Sequence, residues 1–130
     1  LELGMKHTQI ANDEYKDFIR SIHLNLDEKT FIVDQGGAVK EAKFGLEVLA
    51  KEILSQAPDA KSLATPSGTG TTALFLAISL DSYKVYTTPC VGDVEYLKTQ
   101  MLSLVKELPK NLIILKPKKK YHFAKLYEEF

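Results

Sequence analysis

The chain has 130 residues, with 17 basic and 17 acidic side chains in exact balance and 45% hydrophobic residues. That is one domain's worth of sequence with an ordinary globular composition, and zero net charge gives no reason to expect a nucleic-acid or anionic-membrane partner. A single cysteine, Cys90, excludes an internal disulfide and fits a reducing, cytoplasmic setting, and no apolar run reaches the ~18 residues of a membrane helix.

The chain opens at Leu1-Glu2-Leu3-Gly4 without an initiator methionine and stops at Leu126-Tyr127-Glu128-Glu129-Phe130. Both ends read as cuts through helices, so a fragment of a longer protein is expected. Gly4 is a candidate helix C-cap. Lys6 to Ile10 reads as a short strand. Asn12 or Asp13 can cap a helix from about Glu14 to His23, with Tyr15, Phe18, Ile19 and Ile22 spaced for one apolar face. Thr30 to Asp34 is a β-branched and aromatic run, hence a strand, and Gly36-Gly37 follows as a turn.

Lys40 to Ser55 carries the strongest helical pattern, with Phe44, Leu46, Val48, Leu49, Ile53 and Leu54 recurring near the helical period. Lys40, Lys43 and Lys51 belong to its solvated face, and Pro58 closes it. Ser62 to Thr65 reads as a buried strand, and Thr71 to about Leu80 as a buried helix. Lys84 to Thr88 is the next strand. Asp93 can cap a helix from Val94 to Leu108, and Leu112 to Leu115 is the last strand before Pro117. The basic run Lys116 to Lys120 reads as a solvated loop ending that strand. Strands alternating with helices predict one α/β domain over 1–130, a three-layer sandwich around a mostly parallel sheet.

Ligands of such sheets sit beyond the carboxyl ends of the strands, where two segments stand out. The first is Pro66-Ser67-Gly68-Thr69-Gly70-Thr71-Thr72, between a strand and a helix. Glycines and hydroxyls at a helix start expose backbone N–H groups at the positive end of the helix dipole, a recipe for holding phosphate. The loop lacks the Walker A lysine, and it lacks the spacing and ribose-binding acid of a dinucleotide site. Ser67, Gly68, Thr69, Gly70, Thr71 and Thr72 therefore suit a compact terminal monophosphate, the alternative being an ordinary strand–helix turn that needs glycine. The second segment is Asp34-Gln35-Gly36-Gly37, a tight turn or a place where backbone approaches a ligand closely. Asp34 either orients a ligand or caps that turn.

Together, "DQGGAVKEAKFGLEVLAKEI" and "LATPSGTGTTALFLA" resemble the 1-aminocyclopropane-1-carboxylate deaminase and D-cysteine desulfhydrase family, over roughly residues 1–80. The family consists of pyridoxal-5′-phosphate enzymes of fold type II, the tryptophan synthase β-subunit-like fold. The resemblance implies that Ser67 to Thr72 anchors the cofactor phosphate, that the substrate is a small amino acid, and that ammonia and a 2-oxo acid are released by the intact protein. The lysine such enzymes join to the cofactor has no match here, so this chain alone is expected to be inactive. Tyr121 and Tyr127 lie in "KYHFAKLYEEF", where the family tends to carry an active-site tyrosine; Tyr121 is the candidate for it, and the alternative for each is a core or surface aromatic.

His7, His23 and His122 lack metal-ligand spacing, and Cys90 reads as a buried structural thiol. A parallel sheet cut short exposes apolar faces, so self-association into a homo-oligomer is expected. The rival to a cofactor-binding enzyme piece is a non-catalytic α/β module that binds a sugar phosphate or another small phosphorylated ligand.

Overall fold

A computed structural model describes residues 4–33 and 35–118. Contacts divide the chain into two compact units, Leu1–Ile32 and Val33–Phe130. The described residues of the first unit form one helix, α1 (Tyr15–Leu24). Phe18, Ile19 and Ile22 of the predicted stripe are its half-buried residues, whereas Tyr15, the fourth, is exposed. Neither Asn12 nor Asp13 caps it. The cap position falls on Glu14, whose backbone is already helical and whose side chain makes no capping bond.

Two predicted strands do not form. Lys6 to Ile10 and the described residues of the Thr30 to Asp34 run, Thr30 to Val33, lie outside any sheet. A β-branched run becomes a strand only beside a partner, and here a turn takes the first residue instead. The Thr30 N–H donates to the Asp27 carbonyl, and the Thr30 hydroxyl to the Asp27 carboxylate at 2.6 Å. Asp34 lies outside the described residues.

The second unit is the α/β part. Its elements are a short 3-10 turn (Gln35–Gly37), α2 (Ala42–Gln56), β1 (Ser62–Ser67), α3 (Thr71–Ser79), β2 (Lys84–Pro89), α4 (Val94–Leu104) and β3 (Leu112–Ile114). The strands form a sheet in the order β1-β2-β3 and every pairing is parallel. Leu63 faces Val85 and Val85 faces Leu112, so alternate residues of the three strands share a face. The sheet residues that join the core, Leu63, Val85, Leu112 and Ile114, all come from that one face. On the other face Ala64 and Pro66 are exposed, and Tyr86, Thr88 and Ile113 are half-buried.

The core lies between this sheet face and the helices. Helix α3 is its centre: Thr71 and every residue from Ala73 to Ala77 are buried. Its run from Ala73 to Ala77 is continuously apolar and joins the core with residues of α2, α4 and the sheet, while Thr72 and Ile78 are exposed. Leu97, Met101 and Leu104 enter from α4, and Ala50 from α2. The remaining apolar positions of α2 divide. Leu46 and Ile53 pack on the core, whereas Phe44 is 70% exposed and Val48 56%. Lys40, Lys43 and Lys51 are solvated, as expected.

Several bounds differ from the sequence reading, α2 running from Ala42 to Gln56 and β2 on to Pro89 among them. Strand β1 runs on to Ser67 and is half-exposed rather than buried, because it is an outer strand with one face open. Helix α4 stops at Leu104, where Val105 turns extended with φ −136° and ψ 158°. Strand β3 ends at Ile114, one residue short. The far end of α3 is tied to β3 by Asn111, whose side-chain amide donates to the carbonyls of Ala77, Leu80 and Tyr83 at 2.9, 3.0 and 2.9 Å. The Ala77 carbonyl is one a helix end leaves unsatisfied, the Leu80 carbonyl at the cap also accepts from the Tyr83 N–H at 3.0 Å, and Tyr83 lies in the turn beyond.

Candidate functional site

The predicted phosphate loop sits where β1 ends and α3 begins. Ser67 is the last residue of β1, Gly68 to Gly70 form the bend, and Thr71 opens the helix. Gly70 occupies the cap position with φ +83°, a left-handed conformation that suits glycine. A side chain is excluded there for a second reason. A Cβ on Gly70 would lie 2.5 Å from Met101 Cε and 2.8 Å from both Leu97 Cδ1 and Met101 Cγ. The loop is therefore drawn down onto α4, and α3 starts without a side-chain cap. The first N–H groups of a helix have no partner inside it, and here no cap takes them.

The hydroxyls of the loop have different surroundings. Ser67, 3% exposed, shares a 2.6 Å hydrogen bond with Thr87, 2% exposed, across β1 and β2. That pair is internal and fixes the end of β1. Thr69 Oγ1 and Thr71 Oγ1 lie 3.0 Å apart, Thr69 half-buried and Thr71 only 6% exposed. Thr72 and Gly68 are exposed. The Ser67 carbonyl accepts from the Cys90 N–H at 2.8 Å, which joins the loop to the end of β2.

The two glycine segments meet. Gly36, with φ +73°, packs its bare Cα against Thr69, and a Cβ there would lie 2.8 Å from Thr69 Cγ2. Gly37 has φ +61° with open space around the position of a Cβ. The sequence placed both segments beyond strand ends; the Ser67 loop does follow β1, but no strand forms over the described residues before Gly36. The contact between Gly36 and Thr69 had no local signal, since it joins residues distant in the chain.

Other candidates fall away from the loop. Cys90 is exposed, not buried. It follows β2, where Val85, Thr87 and Pro89 take the inward positions. Among the described residues no group of three or more His, Cys, Asp or Glu side chains is placed to hold a metal ion. No helix of the described residues is long and apolar enough to cross a membrane. Tyr121, Tyr127 and His122 lie outside the described residues. A cleft of about 570 Å³ opens at the start of α4 and is lined by Asp93, Glu95, Lys116 and Lys118 among others. Its charges are mixed: Asp93 caps α4 through the Tyr96 N–H at 2.8 Å, and Glu95 pairs with Lys98.

The fold and the loop define an α/β protein with a parallel sheet and a glycine–hydroxyl turn at a helix start. Comparison with protein-family models and with the curated proteins finds no match to this chain.

Proposed function

We propose that Ser67 to Thr72 anchors the phosphate of pyridoxal 5′-phosphate, and that the chain is the cofactor-phosphate-binding portion of a deaminase or lyase acting on a small amino acid. The observation that carries this is the start of α3. A left-handed Gly70 turns the chain into an uncapped helix, so the first-turn N–H groups are left for an anion. The donor set fits a terminal phosphate. Backbone N–H groups supply directed donors without a fixed cation, and the Thr69–Thr71 pair adds hydroxyls at the same end. The family resemblance selects the phosphate's owner, and the contact of Gly36 with Thr69 supports it by joining the two segments on which that resemblance rests.

When bound, the cofactor supplies an electron sink for a carbanion at the substrate's α-carbon. This chain's residues would hold and orient the phosphate. No lysine among the described residues lies in the loop or in the Gly36–Gly37 turn, so the chain by itself is proposed to bind without turnover. In the fuller architecture the sheet would be the centre of a three-layer sandwich of the fold type II kind, with its second face covered.

The test is a titration of the chain with pyridoxal 5′-phosphate, inorganic phosphate and a hexose phosphate, followed by amide chemical shifts. The cofactor and phosphate should compete for shifts at Gly68 to Thr72. Gly68→Glu is the informative variant, because nothing lies within 4 Å of a Cβ at that position. Its carboxylate should weaken anion binding at least about ten-fold while the fold is kept. Preference for the hexose phosphate would favour a sugar-phosphate module. An unresponsive loop, or turnover of D-cysteine or 1-aminocyclopropane-1-carboxylate by this chain, would overturn the corresponding part of the proposal.

A further inference from the structure

We infer that Gly36 is a positioning residue for the anion cradle, acting through Thr69; this rests on the phosphate-anchor reading above. Gly36 adopts φ +73° and ψ 14° and forms the wall behind the Thr69 side chain. A Cβ on residue 36 would approach Thr69 Cγ2 to 2.8 Å and Oγ1 to 3.1 Å, so the contact with Gly36 is made by both branches of the threonine. A threonine has few χ1 positions to choose from. The one it occupies against this wall sets Oγ1 3.0 Å from Thr71 Oγ1.

The pairing of those hydroxyls has a consequence for an anion. Whichever hydroxyl donates to the other, the acceptor keeps its own proton. One O–H donor is then free at the start of α3, beside the first-turn N–H groups. If Thr69 rotates, the pair is lost, and Thr71 at 6% exposure has little access to water in exchange. Gly36 thus acts through Thr69, the side chain that directs the hydroxyl donor.

Gly37 is the natural control. It has φ +61°, so an alanine there meets comparable backbone strain, but nothing lies within 4 Å of its Cβ. The difference between Gly36→Ala and Gly37→Ala isolates the Thr69 contact from the strain of a left-handed alanine. Thr69→Ser removes Cγ2, the closest atom of that contact, and retains the hydroxyl.

The experiment compares the full chain carrying Gly36→Ala, Gly37→Ala, Thr69→Ser, or Gly36→Ala with Thr69→Ser. Inorganic phosphate is titrated by amide shifts, and the Thr69 rotamer is read from three-bond couplings to its methyl carbon. Gly36→Ala should change the rotamer and weaken phosphate about ten-fold. Gly37→Ala should keep the rotamer and stay within about two-fold. The double variant should bind within about two-fold of Thr69→Ser alone. An unchanged rotamer in Gly36→Ala, an equal loss in Gly37→Ala, or no recovery in the double variant overturns the inference. If Gly36→Ala unfolds, a folded double variant upholds the contact and an unfolded one refutes it. Absence of phosphate binding by the unsubstituted chain would sink the anchor reading instead, while the couplings still decide whether Gly36 sets Thr69.

Discussion

Gly70→Ala puts the construction of the loop to a quantitative test. Two separate costs follow from its geometry. At φ +83° an L side chain is strained, by about 1 to 2 kcal/mol for the left-handed region. The new methyl would also stand 2.5 Å from Met101 Cε and 2.8 Å from Leu97 Cδ1, and both residues are fully buried. Overpacking of that kind costs about 1 to 3 kcal/mol, and the flexible end of Met101 favours the lower half. A total of about 3 kcal/mol is expected, large beside the ~5 to 15 kcal/mol of a typical domain. Urea unfolding followed by circular dichroism measures it, with Met101→Ala as the second arm of a double-mutant cycle. Met101→Ala removes the two Met101 contacts and leaves the one to Leu97 Cδ1, so in that background the loss should shrink toward the strain of about 1 to 2 kcal/mol. A Gly70→Ala loss below about 1 kcal/mol, or one undiminished by Met101→Ala, would refute the packing argument.

Asn111→Asp replaces an amide donor by an acceptor facing the carbonyls of Ala77, Leu80 and Tyr83. A loss of about 3 kcal/mol is expected in urea unfolding, more than Asn111→Ala costs, because charge is then set against three oxygens. Asp93→Ala removes the cap of α4 at the Tyr96 N–H and should cost about 1 kcal/mol. Asp27 predicts a pH effect in the first unit. Its carboxyl is held below the usual aspartate value first by the Thr30 hydroxyl and then by the Lys29 N–H. The turn should therefore keep its full stabilisation above the ordinary aspartate range and lose it as pH falls through the lowered value. Carbon-detected titration of the Asp27 carboxyl reads this directly, and a midpoint at or above the ordinary value would contradict it.

Most of the α/β unit was legible in the sequence, for identifiable reasons. Apolar spacing marked α2, a hydrophobic stretch after a glycine loop marked α3, and Asp93 announced α4 as its actual cap. Lys6 to Ile10 and Thr30 to Val33 carry a strand-like composition without forming one among the described residues, because β-propensity describes fit to a sheet rather than an intrinsic backbone preference. The end of α4 at Leu104 was hidden too, since Val105 and Leu108 continue the apolar spacing while packing on the core beyond the helix. For the candidate site, residue types and chain order pointed to the right junction. The Thr69–Thr71 pair, the burial of Thr71 and the wall formed by Gly36 depend on tertiary placement, which no local pattern encodes.

The burial of α3 bears on how any bound anion would be felt. The loop is the leading end of a helix whose residues Ala73 to Ala77 are all buried in the core, so it cannot swing aside without disturbing that core. An anchor built this way is a fixed post rather than a hinged clasp. Its occupancy should register as slower hydrogen exchange throughout Ala73 to Ala77 and a higher melting temperature, and any motion that admits or releases a ligand must be supplied by whatever stands opposite the post.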